Sequence, residues 1–232
     1  MEKTYYQKLC NAVVFGLLST LAVPQLMAQE RGWHASLSVA EQQCYSTFKS
    51  SGPGFSAGIA GGYQFNNVVS LDAAVSYGKS DMEARDCCAG YWLSDDGVRY
   101  NASVLDMPGT AYGDLTASVS MCRAQLAADI NLLGMLKSPS RWSVSIAPAV
   151  SAIMSRHTIS HSEQSQSGFN IGLGGSLNIG YRLSRRIGIA VYSGVTQALG
   201  DGLDGLERHN HSANLIWETG VKISWIFNKV RK

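Results

Sequence analysis

Seven charged side chains, Asp72, Arg123, Asp129, Arg141, Arg182, Glu218 and Lys222, sit among stretches that are otherwise apolar or small. Out of water, a charge without a partner is destabilising by several kcal/mol, so mixed signs of this kind predict a network in which the charges satisfy one another. Asp72 and Asp129 call for a cation between them, and Lys222 and Arg123 are the candidates. Left unbridged, the same groups would line a polar path for water or small ions.

Other residue types could do chemistry too. Four cysteines follow residue 28, namely Cys44, Cys87, Cys88 and Cys122. An even count in an exported chain predicts disulfides, with each of Cys87 and Cys88 bonded to one of Cys44 and Cys122, since a ring closed between neighbouring cysteines is strained. No Cys-x-x-Cys spacing supports metal or redox chemistry. His157, His161, His209 and His211, near Glu163 and Glu207, are of the types that bind metal ions. Loop histidines are ordinarily solvated, and neither a metal nor a cofactor is expected. His211-Ser212 with Glu218 has the residue types of a hydrolytic triad, but Glu218 belongs to the face that carries the other charges. No catalytic residue is assigned.

The elements that must position these groups are strands. Gly168 to Leu183 alternates Phe169, Ile171, Leu173, Leu177, Ile179, Tyr181 and Leu183 with Gly, Asn, Ser and Arg, and a period of two is a β-strand. Sixteen residues is long beside the roughly five or six usual in soluble proteins, and ample for a tilted strand that crosses a bilayer in about nine to eleven. The pattern recurs at 32–40, 55–65, 68–78, 112–133, 141–155, 187–199 and 213–227. Within 112–133 the apolar positions switch from odd (Leu115, Val119, Met121) to even (Leu126, Ala128, Ile130, Leu132), which predicts a β-bulge near Cys122 to Ala124. Asn66-Asn67 and Ser184-Arg185-Arg186 read as tight turns. The long connections are 41–54, 79–111, 156–167 and 200–212. They alternate with short ones, so an even number of strands leaves both termini on the short-turn side. Trp33, Tyr63, Phe65, Trp142, Tyr181, Trp225 and Phe227 all fall at strand ends on that side, as an interfacial girdle would. The second long connection holds Asp81, Glu83, Asp86, Asp95 and Asp96 beside Tyr91, Trp92 and Tyr100, a composition suited to recognition.

Composition agrees. Charged residues make up 16% of the chain and there are 24 glycines, against the roughly 25% charged of soluble domains. No apolar run approaches the length of a spanning helix, and a closed barrel is the other solution that lipid permits. A soluble barrel with the apolar face inward would leave Gly, Asn, Ser and Gly of 168–183 as its surface, a poor one in water. Residues 1–28 read as a secretory signal peptide, with Lys3 and Lys8, an apolar run over 12–23 and a cut after Ala28. Residues 29–232 form the remaining domain. Lys3, Lys8 and Glu2 leave with the signal, so the 19 basic and 17 acidic residues become 17 and 16, a balance that gives no sign of nucleic-acid binding.

The expected fold is thus all-β, an eight-stranded antiparallel up-and-down transmembrane barrel in the bacterial outer membrane. In this architecture, with its aromatic ends and alternating connections, the chain resembles the small outer-membrane barrels of the OmpA, OmpX and opacity-protein type. It departs from them in running past Phe227 to Lys232 and in having no C-terminal periplasmic domain, so peptidoglycan anchoring through such a domain is not implied. The resemblance implies a non-enzymatic monomer among outer-membrane lipids that supports envelope integrity or presents surface loops to an extracellular ligand. A small porin-like diffusion channel is the alternative, and a lipid-modifying outer-membrane enzyme a third reading.

Overall fold

The computed structural model describes residues 31–46, 48–84, 91–93, 99–101, 110–111, 116–136, 140–160, 165–200, 203 and 214–228. Its strands in chain order are β1 (Gly32–Tyr45), β2 (Phe48–Ser50), β3 (Gly54–Gln64), β4 (Val69–Ala84), β5 (Tyr91–Leu93), β6 (Arg99–Asn101), β7 (Thr110–Ala111), β8 (Thr116–Asn131), β9 (Trp142–Ile159), β10 (Ser165–Arg182), β11 (Ile187–Ala198) and β12 (Asn214–Asn228). Eight of them, β1, β3, β4 and β8 to β12, pair antiparallel with their neighbours, and β12 closes on β1 from Gly32↔Asn228 to Tyr45↔Leu215. The small strand β2 bridges β1 and β4 at one mouth, and β5, β6 and β7 form a separate sheet within the connection from β4 to β8.

The register sets the dimensions. From His34 the pairs run to Gly62, Asp72, Ala127, Ala149, Gly174, Thr196, Ile216 and back to β1 at Cys44, ten residues further along. A stagger of ten over eight strands tilts them by about 40° and leaves a radius of about 8 Å, enough for side chains and little else.

The partition of side chains is inside-out. Leu37, Ile59, Val75, Leu126, Ile171, Val191 and Val221 are exposed on the outer face, while Ser36, Gln42, Ser56, Arg123, Asn170, Asn178 and Glu218 are buried inside. That suits lipid outside and a filled polar interior, and it removes the soluble-barrel alternative. Among the described residues no helix is long and apolar enough to cross a membrane.

The turns follow their residues. Asn66 Oδ1 accepts from the amides of Val68 and Val69 at 2.8 Å each, an Asx-type turn. Ser184 Oγ accepts from Arg186 N at 3.2 Å and Ile187 N at 3.0 Å. The aromatic ends are brought together by the ladders: Trp33 pairs with Phe227 and with Tyr63, and Trp142 with Tyr181. The Trp33–Tyr63, Tyr63–Phe65 and Trp142–Tyr181 ring centroids are 5.2, 5.2 and 4.9 Å apart. On β12, Trp225 at this end and Trp217 at the other are eight residues apart, about 20 Å along the axis at this tilt, close to the roughly 25 Å apolar band of such barrels.

Two expectations are corrected. The pairings β4·β8 and β8·β9 run in one uninterrupted register through Cys122 to Ala124, so there is no bulge. Odd residues of β8 face inward throughout, Val119 and Met121 as much as Arg123. The strands also extend beyond the expected 32–40, 68–78 and 141–155, reaching Tyr45, Ala84 and Ile159. Beyond the membrane the outward face meets water and is polar, as at Glu41, Gln43, Asp81 and Glu83, so the outward apolar positions that mark a membrane strand stop short of the strand's end.

Candidate functional site: a layered lumen with one closed mouth

The inward positions form three layers. Nearest the aromatic girdle, His34 Nε2 bonds Asp72 Oδ1 at 2.7 Å, and Asp129 Oδ2 accepts from Ser145 Oγ at 2.9 Å and Asn178 Nδ2 at 3.2 Å. These groups and Lys222 line one cavity of about 310 Å³. Gly62 lies between His34 and Asp72 in the register. A Cβ there would stand 2.0 Å from Asp72 Oδ1 and 2.6 Å from the Leu71 carbonyl oxygen, so glycine makes room for the pair.

In the middle layer Arg123 forms an ion pair with Glu218, and both side chains are over 90% buried. Ser56 Oγ donates to Glu218 Oε1 at 2.9 Å. Below them a cavity of about 110 Å³ is lined by Tyr192, Lys222, Asp72 and Asp129. The third layer is apolar: Cys44, Phe48, Met82, Val119, Met121, Ile153, Ala198, Leu203 and Ile216 are all buried together. Phe48 on β2 and Leu203 in the connection from β11 to β12 are not barrel-wall residues, and both are fully buried. Surface connections therefore supply part of the plug. Fully burying side chains of this size stabilises by about 1.5–3 kcal/mol each. At its edge Gln42 Nε2 donates to Ser80 Oγ at 3.2 Å and Asn214 Nδ2 to Gly200 O at 2.8 Å.

The expected charge set is thereby divided. Arg123 and Glu218 pair with each other, and Arg123 is not the cation between the two aspartates; Lys222 shares their cavity. Arg141 and Arg182 are exposed at the cavity mouth rather than held in the buried layers, because β9 and β10 reach the rim there. His34 and Tyr192 belong to the lumen and were not among the expected site residues. The alternation already placed His34 on the inward face, whereas inward Tyr192 breaks the rule that large apolar groups face lipid.

The cysteines differ from expectation as well. Cys44 lies on β1 rather than in a loop, buried in the plug. Cys122 is on the outward face of β8. Both are free thiols on opposite sides of the wall, so neither makes the expected disulfide; Cys87 and Cys88 lie outside the described residues. His157 is on β9, buried and inward, because that strand continues past the membrane; His161, His209 and His211 lie outside the described residues. Among the described residues no group of His, Cys, Asp or Glu is placed to hold a metal ion. Glu218 is engaged by Arg123 and Ser56 inside the barrel, which leaves it unsuited to a triad, and Ser212 is outside the described residues. In the second long connection Trp92 pairs with Tyr100 and Ala111 across the small sheet; Asp86, Asp95 and Asp96 lie outside the described residues.

No curated protein sequence matches the chain. Among solved structures it is similar to Neisserial surface protein A, with 14% identity over 84% of this chain and 97% of that one and a TM-score of 0.51. It is similar also to a major outer membrane protein from Thermus thermophilus (13% identity, 83% and 99% covered, TM-score 0.47). A third is Ail, the attachment invasion locus protein of Yersinia pestis (9%, 83% and 99%, 0.44). The model of the outer membrane protein beta-barrel domain matches residues 13–218. With that span and this closed antiparallel fold, the chain belongs to the outer membrane protein β-barrel domain family and is a protein of the bacterial outer membrane.

Proposed function

We propose that this is a non-enzymatic, monomeric barrel that acts through its extracellular connections, presenting them for adhesion or recognition while its wall braces the envelope. The carrying observation is the apolar layer of Phe48, Met82, Ile153, Leu203 and Ile216, which separates both lumen cavities from the outer mouth. An aqueous path would have to cross that layer and the Arg123–Glu218 pair, which argues against a diffusion channel. The extension of β1, β4 and β9 beyond the membrane gives the connections a stiff base, and the Lys49–Glu83 ion pair at 3.3 Å ties β2 to β4. A braced scaffold carrying loops with aromatic and acidic residues is a common arrangement for recognition. For a lipid-modifying reaction the one described member of the triad candidate, Glu218, is committed elsewhere.

Two measurements test this reading. Protein refolded in detergent and shown to be folded by its mobility change on boiling is expected to give no steady conductance across a planar bilayer. Reproducible channels would put diffusion in first place. Cells displaying the barrel are expected to adhere to matrix-coated surfaces, and to lose that adhesion when residues 85–115 are replaced by a short turn. Equal adhesion with and without that segment would refute a loop-borne function.

A further inference from the structure

The outward face of the wall changes character along one line. On β1, β11 and β12 the exposed outward residues Leu37, Val39, Val191 and Val221 are apolar. One outward position further toward the outer mouth they give way to Glu41, Ser193 and Thr219. The ladders set Ser193 against Thr219 and Thr219 against Glu41, so the three polar residues form one row. This is the level where the barrel leaves the hydrocarbon, with Trp217 at the outer edge of the apolar band. Side chains on the outer face there meet the wet headgroups of the outer leaflet, which in a bacterial outer membrane are phosphorylated sugars.

The polar groups of this patch are joined to one another. Tyr45 Oη donates to Gln43 Oε1 at 2.7 Å, and Gln43 Nε2 donates to Glu41 Oε1 at 2.9 Å. On β12 Trp217 Nε1 donates to Thr219 Oγ1 at 3.0 Å, and that oxygen lies 3.1 Å from Ser193 Oγ. The network holds the side chains in place and leaves capacity for a ligand. Among the described residues Glu41 pairs with no cation, and neither its Oε2 nor the second Nε2 hydrogen of Gln43 is used within the patch. Exposed rings flank this carboxylate and amide: Trp217 is opposite Gln43 in the ladder and Phe55 is opposite Glu41, with Cβ atoms roughly 5 Å apart across each pair. Beyond Phe55 in the same row is exposed Lys79, two strands from Glu41 and so about 10 Å away. Rings that stack on C–H faces, a carboxylate and an amide that bond hydroxyls, and a cation one disaccharide's length away are together the complement of a phosphorylated sugar.

We propose that the outward patch of Glu41, Gln43, Phe55, Trp217 and Lys79 binds the phosphorylated saccharide headgroup of an outer-leaflet glycolipid. The site is on the lipid-facing side of the wall, so the headgroup reaches it without entering the lumen, and it does not depend on what the extracellular connections bind. The test is native mass spectrometry of the full-length folded protein released from detergent micelles. It is titrated with diphosphorylated lipid A, with phosphatidylglycerol and with the deacylated diphosphorylated disaccharide. Wild type is expected to hold lipid A about tenfold more tightly than either of the other two. For lipid A, E41L/Q43L is expected to lose about tenfold and K79Q about threefold, while S118A/T158V, on the outward face of β8 and β9, stays within about twofold of wild type. Should E41L/Q43L fail to show its mobility change on boiling, W217L against W217F supplies the comparison. The leucine is expected to lose about fivefold and the phenylalanine, which keeps a ring, to stay within about twofold. The proposal is overturned if wild type binds lipid A no more tightly than phosphatidylglycerol, if E41L/Q43L weakens binding no more than S118A/T158V does, or if W217L keeps wild-type affinity. Deacylated disaccharide bound as tightly as lipid A overturns it as well, and would give the patch to a soluble saccharide.

Discussion

Replacing Glu218 with Gln tests the middle layer directly. Glu218 and Arg123 retain 8% and 9% side-chain exposure, and the carboxylate also accepts from Ser56 Oγ at 2.9 Å. Neutralising one member leaves a buried guanidinium without a counter-charge, which is destabilising by about 3–5 kcal/mol. With a urea slope of about 2 kcal/mol/M, the unfolding midpoint should fall by roughly 2 M. R123M should fall by a similar amount. The double replacement R123M/E218L removes both charges, fills similar volume, and should return to within about 1 kcal/mol of wild type. The assay is urea unfolding of protein refolded into lipid vesicles. It is followed by fluorescence, because Trp33, Trp142, Trp217 and Trp225 are exposed on the lipid face and report release from the bilayer. Single replacements that move the midpoint by less than about 0.5 M, or a double replacement as unstable as the worse single, would refute the pairing as the reason these charges are tolerated.

Three further outcomes follow from the same geometry. Gly62→Val should prevent refolding or lower the midpoint by more than about 1 M, since the side chain meets the Leu71 carbonyl and the Asp72 carboxylate; a midpoint equal to wild type would show the wall can give there. Lys222→Met leaves Asp72 and Asp129 with one cation fewer in their cavity and should lower the midpoint by about 1–2 M, whereas no change would mean that His34, Ser145 and Asn178 suffice. Cys44, fully buried in the apolar layer, should resist maleimide in the folded protein and react in urea, as read by peptide mass; rapid labelling in the folded state would show that the plug opens.

How much was legible depends on height in the membrane. Through the bilayer the sequence carries two unlike faces, and Trp33 to Val39 or Phe169 to Tyr181 could be assigned outward with nothing but the alternation. Turn positions such as Asn66 and Ser184 were equally readable, because the side chains that close those turns are themselves the signal. Pairing of particular charges was not readable. Alternation says that Arg123, Glu218 and Asp129 face inward, but the stagger of ten residues decides which of them meet, and that quantity exists only once the sheet closes.

The inferred bulge in β8 shows where the code changes. Apolar residues were assigned outward because inside lipid that is the favourable arrangement. Above the membrane the solvents exchange places: water surrounds the wall, and the lumen is dry. There Val119 and Met121 face in while Ser118, Ser120 and Cys122 face out, and below it Leu126 faces out while Arg123 and Gln125 line the lumen. The strand never changes phase; its surroundings do. Ile153 on β9 and Ile216 on β12 lie on the inward side at the same dry level, so the inversion belongs to the whole barrel. A shift of apolar parity along one long strand therefore has two physical origins, an inserted residue or a change of solvent. They can be told apart by asking whether neighbouring strands shift at matching positions. Here they do, which makes the outer third of this barrel a small hydrophobic core standing on a membrane-embedded polar one.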